Sequence, residues 1–167
     1  TVAKHGNRSV SSKCGSADVL EQLGIHFNLQ PAQAEEVFRR TGMIFLFAPL
    51  FHPAMKNAAI ARKELKIRTV FNLLGPFANP ASVERQLVGV PSAEIARTLS
   101  DAARTLGYRH LLLVASEDGL DEISISAKST LFEVKNNSIK QSTIDPEYYG
   151  FKKSSRNLRS SFSSFIF

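Results

Sequence analysis

The 167-residue chain has the length of one ordinary domain, and its 43% hydrophobic and 22% charged content is typical of a folded protein rather than a disordered one. Its single cysteine, Cys14, excludes an internal disulfide framework and a multi-cysteine zinc site, and no apolar run reaches the roughly 18 residues of a membrane-spanning helix. The net charge is +6, but most of the excess falls in residues 128–167, so the rest of the chain lacks the basic stripe that is typical of a nucleic-acid-binding protein.

The first half of the chain alternates short strands with helices. Residues 1–4 are the end of a predicted strand, and a polar loop leads from them to a helix that Ser16 caps and Gly24 ends. A second predicted helix begins at Pro31 and stops at Gly42. Residues 44–48 form a continuous apolar run that predicts a strand covered on both faces, and a helix is expected from residue 53 to about residue 65.

The second half continues this pattern and then changes period. Strands are predicted at residues 86–90 and 110–115, and between them Ser92 caps a helix that ends at Gly107. The predicted buried face of that helix is Ile95, Leu99, Ala102 and Leu106. From residue 123 apolar side chains recur every second position, at Ile123, Ile125 and residues 131–134, and residues 136–138 form a predicted turn, which together indicate antiparallel strands at one edge.

This order of elements predicts an α/β fold with a largely parallel sheet flanked by helices and with an antiparallel edge. We expect residues 1–150 to form part of an α/β domain and the serine-rich residues 151–167 to be a poorly ordered tail. Ligands of such sheets bind beyond the carboxyl ends of the strands, and polar clusters follow two of the predicted strands, at residues 4–8 and 117–122.

The cluster at residues 4–8 has the composition of a phosphate site. Lys4 and Arg8 are cationic phosphate partners, Asn7 adds neutral donors, and Gly6 allows a ligand to approach the backbone closely. The spacing matches neither a P-loop nor a dinucleotide-binding glycine motif, so a solvated polar loop remains the alternative.

Three segments in collinear order resemble one family. The stretch KHGNRSVSSKCGSADVLEQLG, the stretch FLFAPLFHPAMKNAAIARKELKIRTVFNLLGPFANPA and the motif EDGLDEIS are similar to the signature segments of anthranilate phosphoribosyltransferases. The resemblance spans roughly residues 1–126. It implies that residues 1–150 are part of a phosphoribosyl-binding catalytic domain with the fold shared by nucleoside phosphorylases and phosphoribosyltransferases. It also implies a location in the cytoplasm, or in the plastid of a plant.

The resemblance also implies the reaction. In this family the amine of anthranilate attacks C1 of phosphoribosyl diphosphate, diphosphate leaves with the help of Mg²⁺, and phosphoribosyl anthranilate is formed for tryptophan biosynthesis. The main barrier to this reaction is the charge that develops on the leaving diphosphate and on the sugar. The family lowers it by orienting the reactants and neutralising charge, so no residue is needed as a covalent nucleophile.

Site residues follow from the same resemblance. Lys4, Gly6, Asn7 and Ser11 are expected at the phosphoribosyl diphosphate. The expected anthranilate residues are His5, as a wall of the site more than as a base, Asn7, His52 and Arg62, whose guanidinium would bind the carboxylate. Asp121 and Glu122 are the expected Mg²⁺ ligands, since Mg²⁺ prefers oxygen ligands and retains water and substrate phosphates.

Departures from the family pattern bear on activity. The family's N-terminal helical domain and its Gly-Thr-Gly-Gly-Asp diphosphate loop are absent from this sequence, so we expect a fragment with little or no activity alone; full-length members are homodimers. Two alternatives stay open: a non-catalytic relative that binds nucleic acid or another anion, and a nucleoside phosphorylase, which the residues of the first loop disfavour.

Overall fold

The computed structural model describes residues 1–8, 14–55, 57 and 71–152. The chain divides into two compact units, Thr1–Val83 and Glu84–Phe167. The first unit contains, in chain order, β1 (Val2–Gly6), α1 (Ser16–Gln22), α2 (Pro31–Thr41), β2 (Met43–Phe47), α3 (Ala48–Phe51), α4 (Phe71–Leu74) and a 3₁₀ helix (Gly75–Ala78). The second contains β3 (Arg85–Gly89), α5 (Ala93–Thr105), β4 (His110–Ser116), β5 (Ser129–Lys135), β6 (Ser138–Ile144) and a 3₁₀ helix (Pro146–Tyr149).

Local signals set the helix limits in the first unit. The predicted helix at Pro31 is confirmed, and it ends at Gly42, whose φ of 71° is the left-handed conformation that glycine adopts at low cost. The predicted cap of α1 is wrong by one residue: Gly15 is the N-cap, because the Asp18 carboxylate accepts its backbone N–H at 2.8 Å. The strand predicted at residues 44–48 is shifted back by one, since Ala48 and Pro49 open α3.

Strands β1 and β2 form a two-stranded parallel sheet in the first unit, with His5 opposite Leu46 and Gly6 opposite Phe47. Phe27 is buried and stacks edge-to-face on the rings of Phe45 and Phe47, with centroids 5.6 and 5.2 Å away. This aromatic cluster fixes the sheet beneath the carboxyl end of β1, where the predicted binding loop begins.

The second unit is built on a four-stranded sheet in the order β3-β4-β5-β6. The pairing of β3 with β4 is parallel, and the pairings of β4 with β5 and of β5 with β6 are antiparallel. Leu111, Leu113, Val88 and Val134 are fully buried, so β4 lies at the centre of this unit's core. The predicted α/β fold and its antiparallel edge are confirmed, and in the described residues the antiparallel pairings equal the parallel ones in number.

Helix α5 begins and ends as predicted, but its buried face differs. The Ser92 hydroxyl accepts the backbone N–H of Ile95, which confirms the cap. The buried positions are Ala96, Leu99, Ser100 and Ala103. Ala102 is exposed and Leu106 is 64% exposed. Leu99 is therefore buried as predicted, and the other three buried side chains are alanine or serine.

The antiparallel edge is partly as predicted. Asn136 and Asn137 have φ values of 50° and 59° and make the two-residue turn between β5 and β6, since a type I′ turn needs positive φ at both positions. The strand expected around Ile123 and Ile125 is wrong: both side chains are 47% exposed and lie in the loop between β4 and β5. That loop is held by side-chain hydrogen bonds, which alternation of apolar residues does not reveal.

Four expectations concern residues that the structure does not describe. Ser11, Arg62 and nearly all of the helix expected at residues 53–65 lie outside the described residues. So do residues 153–167, which contain most of the predicted tail. Among the helices that the structure describes, none combines the length and the hydropathy needed to cross a membrane.

Candidate functional site

His5 stands at the carboxyl end of β1 and is buried. Its Nδ1 lies 3.3 Å from the carbonyl oxygen of Gly75, and its Nε2 lies 3.1 Å from Nε2 of His52. A carbonyl can only accept, so His5 Nδ1 carries the proton and His5 Nε2 is the acceptor for His52 Nε2–H. In neutral His5 this network fixes the tautomer with the proton on Nδ1.

The electrostatics of the pair agree with this assignment. Burial lowers the pKa of His5 from its ordinary value of 6.5; the hydrogen bond to the Gly75 carbonyl opposes that shift, and the neighbouring His52 adds to it. The two rings meet edge-to-face with centroids 5.0 Å apart. With both ring nitrogens engaged, His5 is a fixed, uncharged wall at neutral pH.

The loop that follows α4 is tied to β1 at two points. One is the bond from His5 to Gly75, and the other is a bond of 3.0 Å from the Asn79 side-chain amide to the carbonyl of Ala3. The Asn79 side-chain oxygen also accepts the backbone N–H of Ala81 at 3.0 Å, which closes the turn at Pro80. Asn79 is buried, and its side-chain amide both bonds to β1 and closes the turn.

The rest of the basic loop is only partly described. Gly6 packs closely: a Cβ placed on it would lie 2.9 Å from the Phe45 ring and 3.2 Å from the Ser16 hydroxyl. Lys4 is half-buried and Asn7 is exposed, with its side-chain oxygen accepting the backbone N–H of Arg8. A side chain at this position would therefore require the Phe45 ring to shift, so Gly6 is closely packed inside the protein as well as open to a ligand's approach.

The Arg8 guanidinium is paired with acidic side chains of α1. It makes a bidentate bond to the Glu21 carboxylate at 2.6 and 2.7 Å and a longer bond to Asp18 at 3.3 Å. These contacts attach the loop to α1, and the Arg8 bond lowers the pKa of Glu21. The phosphate role that the sequence suggested for Arg8 thus competes with an ion pair.

Asp121 and Glu122 lie in the second unit, in the loop between β4 and β5. Both are half-buried. Within the described part of the chain, no group of three or more His, Cys, Asp or Glu side chains is placed to hold a metal ion. Two carboxylates still suit Mg²⁺, which is commonly held by one or two carboxylates while water and substrate phosphates complete its shell.

The structure thus divides the predicted residues between the units. Lys4, His5, Gly6, Asn7 and His52 lie in the first unit, where His5 and His52 are in direct contact. Asp121 and Glu122 lie in the second.

Comparison with known proteins identifies the family. The model of the "Glycosyl transferase family, a/b domain" matches residues 1–161. The chain belongs to this family. Among curated members of the family, the anthranilate phosphoribosyltransferase of Geobacillus sp. (strain WCH70) is 53% identical over 91% of the chain, and that of Legionella pneumophila (strain Corby) is 53% identical over 92%. The chain spans about 45% of the length of each of these two relatives.

Solved structures of family members have the same fold. The anthranilate phosphoribosyltransferase of Thermus thermophilus superimposes with a TM-score of 0.80 at 41% identity, over 92% of this chain and 45% of that one. The enzyme of Saccharomyces cerevisiae in complex with PRPP and Mg gives 0.82 at 30% identity, over 92% of this chain and 42% of that one.

Sequence reasoning missed three kinds of residue in this glycosyl transferase domain. It gave no role to Asp118, which accepts hydrogen bonds from the Ser124 hydroxyl and from the backbone N–H of Leu120. It gave no role to the serines beside the acidic loop or to Gly89. A glycine inside a strand pattern is a signal of close backbone approach, so Gly89 could have been found.

Proposed function

We propose that the protein to which this chain belongs transfers the phosphoribosyl group from phosphoribosyl diphosphate to the amine of anthranilate. The C1–O bond to diphosphate breaks and its electron pair leaves with the diphosphate. The C1–N bond forms, and the amine nitrogen releases one proton. The enzyme would be a pentosyltransferase of tryptophan biosynthesis, working in the cytoplasm or, in a plant, in the plastid.

One observation carries the proposal: a buried, neutral His5 at the carboxyl end of β1, fixed by His52 and by the Gly75 carbonyl. Ligands of α/β proteins bind beyond the carboxyl ends of strands, and His5 stands there within the Lys-His-Gly-Asn motif. The relatives named anthranilate phosphoribosyltransferase, and the structure of the yeast enzyme with 4-fluoroanthranilate, support an aromatic amine as the acceptor.

The histidine pair would serve anthranilate by shape rather than by proton transfer. His5 Nδ1–H donates to the Gly75 carbonyl, and His5 Nε2 accepts a hydrogen bond from His52. Neither nitrogen is therefore left to act as a base. An uncharged imidazole offers an apolar edge and face to an aromatic ring. Arg62 would bind the anthranilate carboxylate, since a guanidinium suits a bidentate carboxylate contact, and Asn7 would border the same molecule.

Phosphoribosyl diphosphate would be bound by the carboxyl-terminal part of β1 and the loop that follows it. Lys4 supplies a cation, Asn7 and Ser11 supply neutral donors, and Gly6 allows the ligand to approach the backbone. Asp121 and Glu122 would hold Mg²⁺, which when bound neutralises charge on the leaving diphosphate. The chain's own contribution is to orient the reactants, since no covalent intermediate is required.

The test is ligand binding by the 167-residue chain. Titration calorimetry with phosphoribosyl diphosphate and Mg²⁺ should give binding that is lost in Asp121→Asn/Glu122→Gln, because the carboxylates would hold the metal that the diphosphate shares. Anthranilate should shift the imidazole resonances of His5 and His52 in NMR spectra, with the exposed His26 as an internal control. Absence of both responses would contradict the proposal.

A turnover assay tests whether the 167-residue chain has the activity that we propose for the whole protein. With both substrates and Mg²⁺ we expect little or no product from the 167 residues alone, since the diphosphate loop of the family is not among them. Rates equal to those of a full-length relative would contradict that expectation. Retention on a DNA column that collapses as salt rises, without binding of either substrate, would instead favour the nucleic-acid-binding alternative.

A further inference from the structure

Three serine hydroxyls are buried beside the acidic loop of the second unit. Ser116 is the last residue of β4 and Ser129 is the first of β5, and the two are paired across the strands. Ser124 lies in the loop between them. Their exposed fractions are 7%, 0% and 3% for Ser116, Ser129 and Ser124, respectively, so these hydroxyls need protein partners.

The direction of each hydrogen bond follows from the number of protons. Ser116 gives its one hydroxyl proton to the Glu122 carbonyl at 2.6 Å. The bond of 2.5 Å between Ser116 and Ser129 must therefore be donated by Ser129. The backbone N–H of Ser124 then donates to the oxygens of Ser129, at 3.0 Å, and of Ser116, at 3.2 Å.

This chain of bonds attaches the backbone on both sides of Ile123 to the ends of β4 and β5. The Ser116 hydroxyl donates to the carbonyl of Glu122, and the Ser129 hydroxyl accepts the backbone N–H of Ser124. A change in either strand-end serine therefore acts directly on the peptide that follows the acidic pair.

The Ser124 hydroxyl organises the rest of the loop. It donates to the Asp118 carboxylate at 2.6 Å and accepts the backbone N–H groups of Ser126 at 2.9 Å and Ala127 at 3.3 Å. The other oxygen of Asp118 accepts the N–H of Leu120 at 3.3 Å. The segment before the acidic pair and the segment after it are thus joined through one hydroxyl.

Gly89 supports the loop from the neighbouring strand. A Cβ placed on Gly89 would overlap the carbonyl oxygen of Asp121 and lie 2.7 Å from its carbonyl carbon. Both of these atoms belong to the backbone, which has no flexible end to move away. The Asp121 peptide can therefore occupy its place only because residue 89 has no side chain.

We propose that Ser116, Ser124, Ser129 and Gly89 are positioning residues that fix the Asp121-Glu122 peptide in the arrangement that binds a divalent cation. The inference rests on the proposed function, which assigns the cation to these two carboxylates. Mg²⁺ demands nearly ideal octahedral geometry, so the backbone that carries its ligands must be held closely. Groups that orient metal ligands commonly change affinity by about 10–100-fold when they are removed.

The experiment measures binding of Mn²⁺ alone, as a paramagnetic probe for Mg²⁺, to the whole 167-residue chain. Free Mn²⁺ is followed by electron paramagnetic resonance, and the amide resonances that it broadens locate the site. In the wild-type chain the broadening should centre on residues 121 and 122. Ser116→Ala and Ser129→Ala should each weaken binding by about tenfold or more.

Three further variants separate positioning from general stability. Ser142→Ala, at an exposed position of β6, is the matched control and should bind Mn²⁺ as the wild-type chain does. Ser116→Thr retains a hydroxyl and should recover most of the affinity that Ser116→Ala loses. Gly89→Ala should weaken binding although every hydroxyl and both carboxylates are intact.

Each outcome has one meaning. If the wild-type chain gives no broadening at residues 121 and 122, the proposed metal site fails, and this inference with it. If the wild-type chain binds and the Ser116, Ser129 and Gly89 variants bind equally well, only the positioning role is overturned. Should those variants not fold, Ser124→Ala, which alters only the loop, decides: unchanged Mn²⁺ affinity overturns the proposal and at least several-fold weaker affinity supports it.

Discussion

The two units of the chain differ in how completely each encloses its core. In the second unit β4 has a strand on either side, and Leu111, Leu113, Val88 and Val134 are fully buried. In the first unit the described strands are only β1 and β2, paired with each other, and His5 is among the buried side chains. A two-stranded sheet is marginal by itself. We therefore expect the second unit to supply rigidity, while the first carries the polar groups proposed for substrate binding.

Hydrogen exchange gives the largest expected difference between the units. Amides of β4 and β5 should exchange more slowly than those of β1 and β2 by about a hundredfold or more, because exchange from a central strand requires a larger opening. Exchange measured by NMR on the whole chain tests this expectation. Equal protection in the two sheets would mean that the chain unfolds as one cooperative unit.

Truncation of the core should destabilise the second unit strongly. Leu113→Ala removes a fully buried side chain from β4 and should lower the free energy of unfolding by about 2–5 kcal/mol. Leu106→Ala is the matched control: the side chain is 64% exposed, and the change should stay within about 0.5 kcal/mol. Denaturant titration checks both, and a small effect at Leu113 would contradict the assignment of β4 to the core.

Acidification should weaken the first unit selectively. The pKa of His5 is lower in the folded state than its ordinary value of 6.5, so the unfolded state binds more protons once the pH falls below that value. The stability that neutral His5 contributes is therefore complete above about pH 6.5 and decreases as the pH falls through the lowered folded-state pKa. Protection of β1 amides should fall over this range while that of β4 amides changes less.

Two variants locate this pH dependence. His5→Gln should remove it, because glutamine does not titrate. His26→Gln changes an exposed histidine and should leave it intact. A pH response that persists in His5→Gln would assign the effect to another group.

The smallest expected effect concerns the ion pair that joins the basic loop to α1. Arg8→Gln should lower the melting temperature slightly at low salt, and the difference should shrink as salt rises, because both partners are solvent-exposed and screened. A double-mutant cycle with Glu21→Gln isolates the pair. A coupling that is large and independent of salt would contradict an exposed ion pair.

Much of the local structure could be predicted because it depends on neighbouring residues. Pro31 and Gly42 bound α2, and Ser92 caps α5 through its own hydroxyl. Asn136 and Asn137 adopt positive φ and make the hairpin turn. Each of these effects acts within a few positions of the chain, so residue type alone is informative.

Other features depend on groups that are distant in sequence. Which face of α5 is buried depends on the sheet that covers it, and the hydrophobic pattern identified Leu99 correctly but Ala102 and Leu106 incorrectly. Ile123 and Ile125 alternate like a strand, yet the hydroxyl of Ser116 and its partners hold that segment as a loop.

The sequence by itself determined the α/β class, the order of the elements and the motifs of the family, since periodicity, caps and turn residues are properties of short segments. Only the tertiary structure decided that His5 meets His52 and Gly75, which lie 47 and 70 positions away, and that Gly89 makes room for Asp121. Tautomer, burial and the position of the acidic loop depend on these contacts, because each is an interaction between groups that only folding brings together.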